Sequence, residues 1–273
     1  MTKLLLRHSE WDVVDPAAAS WRYLSFRVER LRDGEQVLRK TGDEEIALVP
    51  LGGRCAIEIG GERWELGGRA SVFDGMPWAL YLPRDTEYTL SALSDVEVAV
   101  SGALADERFE PRLVMPNDVE IEVRGSGNAT RQINHIVKPE FPAQRLLVVE
   151  VFTPAGNWSS YPPHKHDEDN APGEVILEET YYFRTARPEA FAVQRLYSPR
   201  HGLDVTETVR DGDLMLVPYG YHTTAAAHGY DLYYLNALAG ERRSMASADD
   251  PALAWIRGAW AELEPDPRVP LVS

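Results

Sequence analysis

Apolar residues recur along this chain in short runs, cut at intervals by glycine pairs and an Asp-Gly step. Arg22 to Leu31, Glu45 to Leu51, Arg54 to Ile59 and Ala79 to Tyr81 form such runs, and Asp33-Gly34, Gly52-Gly53, Gly60-Gly61 and Gly67-Gly68 break up this region. Runs of this length bounded by turn residues predict β-strands, and short strands in succession predict a sandwich or barrel. A similar rhythm resumes at Leu146, after a Pro- and Gly-bearing stretch from Arg124 to Pro142. That stretch is the boundary expected between two domains, 1–125 and 126–273. Little helix is expected before residue 249. There Asp249-Asp250-Pro251 supplies an Asp N-cap and a proline at the first helical position, with Gly258 interrupting and Pro265 and Pro267 bounding the helix. The expected class is all-β with a short C-terminal helix.

The same periodicity locates candidate chemistry. In Tyr161-Pro162-Pro163-His164-Lys165-His166-Asp167 two imidazoles lie two residues apart, which puts both on one face of an extended strand. Leu177-Glu178-Glu179-Thr180-Tyr181-Tyr182-Phe183 follows, and neighbouring residues of a strand face opposite ways, so only one of its carboxylates can join the histidines. The face of Glu179 also carries Tyr181 and Phe183 and reads as the inside of a barrel. The face of Glu178 carries Thr180, Tyr182 and Arg184 and reads as a wetter exterior. A further apolar strand, Leu214 to Val217, ends in Pro218-Tyr219-Gly220-Tyr221-His222. Alone, His-x-His in a strand is often two polar residues on a solvated face. With Glu179 and His222 in reach, His164 and His166 complete a three-histidine, one-carboxylate shell that suits Zn, Mn, Fe, Ni or Co.

A weak internal repeat is also visible. Ala79 to Glu87 parallels Met215 to His222, each a strand running into a proline-led turn. Aligning Pro83 with Pro218 puts Glu87 in the place of His222, and the only histidine before His135 is His8. The first half is expected to be structural and without a metal, and the second to carry the site.

The motifs resemble the His-x-His…Glu and Gly-x5-Pro-x-Gly…His patterns of cupins, with departures. Twelve residues separate His166 from Glu179, and only Tyr221 separates Gly220 from His222. In these departures, in Leu177 to Phe183, and in Tyr233-Tyr234-Leu235-Asn236-Ala237-Leu238-Ala239-Gly240, the chain resembles the 5-deoxy-glucuronate isomerase (IolB) family, related to 5-keto-4-deoxyuronate isomerase. Thr223 and His228 stand where that family commonly has proline. The resemblance implies a bicupin of two β-barrel, jelly-roll domains. It also implies a metal-dependent aldose–ketose isomerase of myo-inositol catabolism that converts 5-deoxy-D-glucuronate to 5-dehydro-2-deoxy-D-gluconate. Its cofactor would be one divalent ion, Zn or Mn before Fe, Ni or Co. Alternatives are a 5-keto-4-deoxyuronate isomerase-like enzyme, a cupin dioxygenase holding Fe(II), and a sugar-binding cupin without catalysis.

Composition narrows the setting. With 44% apolar and 10% aromatic residues, the 273-residue chain is an ordinary folded protein rather than a disordered one. No apolar stretch approaches the ~18 residues of a membrane span or forms a signal-peptide core. Cys55 is the only cysteine, which excludes an intrachain disulfide, fits a reducing cytoplasm and reads as a buried, inert thiol. A net charge of −15 disfavours nucleic acid and anionic membrane as partners. No helix-turn-helix accompanies the strands, and a homo-oligomer is compatible with all of this.

A uronate substrate then requires a local cation against that negative field, and arginine suits a carboxylate. Arg131 reads either as a solvated loop arginine or as that cation, and its stretch Gly125-Ser126-Gly127-Asn128-Ala129-Thr130-Arg131 resembles the family's Gly-x-Gly-Asn-x-x-Arg. Arg242 is the second candidate. Tyr181, Gln194, Tyr197 and Tyr234 are the pocket candidates, with the alternative that they satisfy backbone groups at a barrel end. The general base is not identified.

Overall fold

Strands form where the apolar runs predict them, at Leu24–Leu31, Glu44–Gly52, Arg54–Ile59 and Ala79–Leu82. The computed structural model describes residues 3–273. Its first half pairs a six-stranded sheet, in the order Arg112–Val114, Ala79–Leu82, Glu44–Gly52, Val96–Leu104, Leu24–Leu31 and Val13–Val14, with a four-stranded one. The latter runs Gln36–Lys40, Glu87–Ala92, Arg54–Ile59, Glu62–Gly67. Ile46 and Leu48 from one sheet meet Cys55, Ile57 and Leu90 from the other in a common core. Burial pushes the Cys55 thiol up to about 12, as an inert thiol requires.

The second half repeats this plan. A seven-stranded sheet runs Leu5–Leu6, Leu214–Val217, Glu178–Thr185, Leu232–Ala239, Leu146–Thr153, Arg131–Val137, Glu120–Arg124. A five-stranded sheet runs Leu203–Val209, Ala192–Ser198, Tyr221–Ala226, Trp158–Lys165, Ala248–Asp249. Tyr181, Phe183, Val217 and Tyr234 from the first meet Leu196, Val209 and Ala226 from the second. Leu5–Leu6 pairs with Leu214–Met215, and Glu120–Arg124 pairs with Arg131–Val137, so strands from both sides of residue 125 complete the larger sheet.

The two large sheets pack face to face. Leu24, Phe26, Ala47, Val49 and Tyr81 on one side share a core with Leu146, Val148, Phe152, Tyr182, Leu216, Tyr233 and Leu235 on the other. This corrects one expectation. The face carrying Glu178, Thr180 and Tyr182 is not a wet exterior, because Thr180 and Tyr182 are fully buried between the barrels. Strands buried on both faces lose the in/out alternation, which is why Leu146–Thr153 and Leu232–Ala239 read as nearly continuous apolar runs.

Two carboxylates stitch this interface reciprocally. Glu178 accepts from the backbone N–H groups of Arg22, Tyr23 and Leu24, where the strand Leu24–Leu31 begins. Glu45 accepts from those of Gln144, Arg145 and Leu146, where Leu146–Thr153 begins, and from the Tyr81 hydroxyl. The two glutamates hold equivalent register positions, Glu45 opposite Ala103 and Glu178 opposite Ala239. Each barrel therefore ties down the entering strand of the other. Across the same interface, the buried Arg69 guanidinium donates to both oxygens of buried Glu150 at 2.5 and 3.3 Å.

Helix departs from expectation. Pro251 to Trp255 form turns, and the α-helix covers only Ile256–Ala259, continuing as a 3₁₀ turn over Trp260–Glu262. The Asp250 carboxylate receives the Ala252 N–H at 2.9 Å, closing a local turn instead of capping a helix. One short helix forms earlier, Pro16–Ala19, whose cap is the Asp15 side chain. It is too brief to show apolar periodicity.

Candidate metal centre

Three side chains from three strands meet at the mouth of the second barrel. Glu179 rises from Glu178–Thr185, His222 from Tyr221–Ala226, and His166 lies one residue beyond Trp158–Lys165. Their ligand atoms all lie within 4.8 Å of one another, and all three residues are buried. His166 Nε2 stands 2.9 Å and His222 Nε2 3.1 Å from the same oxygen of Glu179. Glu179 is thus the carboxylate that faces the histidines, and Glu178 serves the barrel interface.

The other ring nitrogens decide the chemistry. His166 Nδ1 lies 2.9 Å from the Leu177 carbonyl, and His222 Nδ1 lies 3.1 Å from the Gly220 carbonyl. A carbonyl only accepts, so each Nδ1 carries its hydrogen, and in that neutral tautomer each ring turns a bare Nε2 lone pair inward. Two lone pairs and a carboxylate oxygen then converge with no donor among them, and His222 Nε2 has no hydrogen-bond partner among the described residues. Such a set needs a proton or a metal ion at its centre, and the donor types suit the ion. Burial alone would raise the Glu179 carboxyl, but His222 and His166 outweigh it and hold the group well below the usual carboxylate range. When a proton takes that central place it sits between His166 and Glu179: burial alone would lower the His166 imidazole, and the bond to Glu179 outweighs it, leaving the group above the usual value.

His164 stands beside this trio, its ring centroid 4.6 Å from that of His222 across the strand pair. Burial drives its imidazole well below the ordinary value, so the ring is neutral. The turn before His222 is built by Gly220 at φ +92, where an added Cβ would come within 2.7 Å of the Tyr197 carbonyl. Asp167 accepts the Gly220 N–H at 2.8 Å, so a residue adjacent to His166 shapes the turn that aims His222.

A cavity of about 70 Å³ opens beside the trio. His164, His166, Glu179, Tyr181, Tyr234 and Arg131 all line it. Arg131 is the first residue of Arg131–Val137 and is almost wholly buried, which replaces the loop position expected for it. Burial pushes its guanidinium down to about 10, still charged near neutral pH. Gln194, Tyr197 and Arg242 do not line the cavity. Gln194 accepts from the Thr224 hydroxyl, Tyr197 donates to Asp250, and Arg242 pairs with Asp169 at 3.2 Å on the surface. Gln194 is fully buried on the same strand face as Leu196 and lies opposite Thr224, whereas Tyr197 is on the other face, opposite Tyr221.

Sequence reading missed Ser160, Asn236, Arg124 and Arg257, which also line it. Asn236 carried a signal, a lone amide inside an apolar strand. Ser160 carried none. It sits at φ 50 where the register of Trp158–Lys165 shifts, an uncommon backbone for a non-glycine residue, and its hydroxyl lies 3.1 Å from that of Tyr181.

Register also gives the counterpart of the site in the first half. Ile46 lies opposite Leu82 as Glu179 lies opposite Val217, so Pro83 follows where Pro218 follows. Lys40 lies opposite Glu87 as His164 lies opposite His222. The equivalent positions therefore hold an isoleucine and a Lys40–Glu87 ion pair at 2.9 Å.

Two packed antiparallel barrels, one with a histidine–carboxylate cluster at its mouth, define a bicupin with a candidate metal centre. Comparison with known proteins narrows this. The chain belongs to the KduI/IolB family, whose model matches residues 5–256. It is 44% identical over 245 residues to a 5-deoxy-glucuronate isomerase of Geobacillus kaustophilus (strain HTA426), covering 89% of each chain. It is 38% identical to the Bacillus subtilis (strain 168) protein of the same name, over 86% of this chain and 88% of that one. An IolB-like protein from Salmonella typhimurium superimposes with a TM-score of 0.90 at 36% identity, covering 93% and 99%. An oxalate decarboxylase from Lactobacillus farciminis shares the fold at a TM-score of 0.67 and 12% identity, covering 91% and 89%.

Proposed function

We propose that this chain is an aldose–ketose isomerase converting 5-deoxy-D-glucuronate to 5-dehydro-2-deoxy-D-gluconate in myo-inositol breakdown. The observation that carries the reading is the convergence of two inward lone pairs and Glu179 in a cavity that also exposes a guanidinium, that of Arg131, without a carboxylate partner among the described residues. A sugar acid needs both features, and relatives at up to 44% identity bear the isomerase name. His164, His166, Glu179 and His222 would hold one divalent ion, Zn or Mn before Fe, Ni or Co. The chemistry such an ion supplies when bound is Lewis-acid polarisation of a carbonyl and its neighbouring hydroxyl.

The chain's own groups do the rest. Arg131 binds the substrate carboxylate. Tyr181 and Tyr234, whose hydroxyls are held by Ser160 and Ser159, present oxygen atoms to the sugar hydroxyls. Burial raises both phenols, the Tyr181 one far above its ordinary value, so they serve as neutral hydrogen-bond donors rather than bases. Apolar Ile133, Val149, Val151 and Leu238 wall the cavity and limit water around the reacting carbons.

Incubation of metal-loaded protein with 5-deoxy-D-glucuronate, followed by NMR, should show the ketose accumulating without O2 uptake. O2 consumption coupled to turnover would replace the isomerase with a dioxygenase. Stable binding without turnover would leave a sugar-binding protein.

A further inference from the structure

The C-terminal segment reaches over the cavity, and its side chains converge on the guanidinium assigned above to the carboxylate. Three arginines line the cavity, Arg124, Arg131 and Arg257. Arg124 is engaged by both oxygens of Glu122 at 2.6 and 2.7 Å, and Arg257 is engaged by both oxygens of Asp249. Arg131 has no acidic partner among the described residues. Among the described residues its acceptors are the Ala129 and Tyr161 carbonyls, at 3.2 and 3.3 Å, both on Nη1. Elsewhere the well-buried Arg69 and Arg145 each have an acidic partner. An almost fully buried cation without a counter-ion is a costly arrangement unless an anion is to arrive.

Trp260 connects two of these groups. The Arg131 guanidinium lies 5.8 Å from the indole centroid and that of Arg257 lies 5.4 Å from it. One ring thus braces both cations, and their mutual repulsion is relieved by its π-face. The Gly125 loop also lies against Arg131, since a Cβ at Gly125 would stand 3.0 Å from Arg131 Nη1 and 2.1 Å from the Ala129 carbonyl.

We propose that Arg257 and Trp260 complete the carboxylate subsite: Arg257 is a second, specificity-determining cation for a sugar acid, and Trp260 is a positioning residue that holds Arg131 toward it. This rests on the isomerase reading for the identity of the substrate, but recognition of a six-carbon sugar acid is testable separately. Asp249 orients Arg257 from a two-residue strand paired with His164–Lys165, which links the anion pole to the strand bearing the metal-site histidines.

The test is calorimetry of the metal-loaded full chain with D-glucuronate and with D-glucose as the uncharged control, alongside kinetics on 5-deoxy-D-glucuronate. Arg257→Met should weaken D-glucuronate binding about 10- to 100-fold, the range of a lost charge-assisted hydrogen bond. Trp260→Leu should weaken it about 3-fold, with Trp260→Phe restoring most of the loss. D-glucose binding and metal content should be unaffected, and KM should rise far more than kcat falls. Equal weakening of both sugars, or undiminished D-glucuronate binding in Arg257→Met, overturns the proposal whether or not the wild type is an isomerase. Absence of wild-type turnover with the predicted binding pattern instead removes the isomerase reading and leaves the subsite standing.

Discussion

His222 shows how much one residue carries here. Its Nδ1 is tied to the turn that precedes it, its Nε2 is left without a partner, and its ring lies against His164, His166 and Tyr181. His222→Ala should therefore lower metal affinity by at least about 10-fold, as loss of a ligand or its support does, while the circular dichroism spectrum stays unchanged. A variant that keeps full metal content by elemental analysis would remove His222 from the shell. Glu122 offers a pH-linked counterpart outside the cluster. The bond from His135 and those from Arg124 hold its carboxyl at about 2, against an ordinary 4.5. A depressed carboxyl stabilises the fold above its unfolded value and loses that contribution as pH falls through its folded value. The stability difference between wild type and Glu122→Gln should be full above about pH 5 and vanish toward pH 2. Chemical denaturation across that range would show it, and a difference independent of pH would refute the assignment.

At the level of elements, Glu178 and Glu45 hold the beginnings of strands that belong to the opposite barrel. Removing either carboxylate leaves three backbone N–H groups without their acceptor, around a fully buried site at Glu45 and at the half-buried edge of the interface at Glu178. Glu178→Ala and Glu45→Ala should each cost about 1–3 kcal/mol, lowering Tm by several degrees with metal binding retained. Unchanged melting in both would show that water replaces them. The contrast between these glutamates and Glu179 marks what was legible in the sequence. Strand parity separates Glu178 from Glu179 because a strand alternates faces whatever lies on either side. Parity does not reveal what covers the second face, and a second barrel, not solvent, covers it. His-x-His spacing and the proline-led turn were readable for the same local reason. Gln194, Tyr197 and Arg242 fall outside the lining of the cavity for the opposite reason. Each lies near a motif in the chain, but which strand faces the cavity depends on pairing between distant segments. Arg257 and Trp260 escaped notice because their segment was read as a helix bounded by prolines, and nothing local says that it crosses the barrel mouth.

At the scale of the whole molecule, we take 1–125 and 126–273 as a division of labour rather than of folding. Residues 126–273 expressed alone would lack the strands Leu5–Leu6 and Glu120–Arg124 and would expose Tyr182, Leu216, Tyr233 and Leu235 to water. That fragment should aggregate or show weak hydrogen-exchange protection, since its larger sheet would present a broad apolar face. A soluble, metal-binding fragment would contradict this. The Leu5–Leu6 strand has a further consequence for how the protein is made. Its partner, Leu214–Val217, leaves the ribosome some two hundred residues later. Segment 271–272 docks later still, with the backbone N–H groups of Leu271 and Val272 donating to the Gln132 side chain and the Val272 carbonyl accepting from it. Vectorial synthesis therefore cannot finish the sheet that bears Glu179 piece by piece. Its earliest strand must wait unpaired until Leu214–Val217 has been made, a long-range closure that is intrinsically slow. Nascent chains arrested before residue 217 should leave residues 5–6 open to protease, and completed chains should protect them.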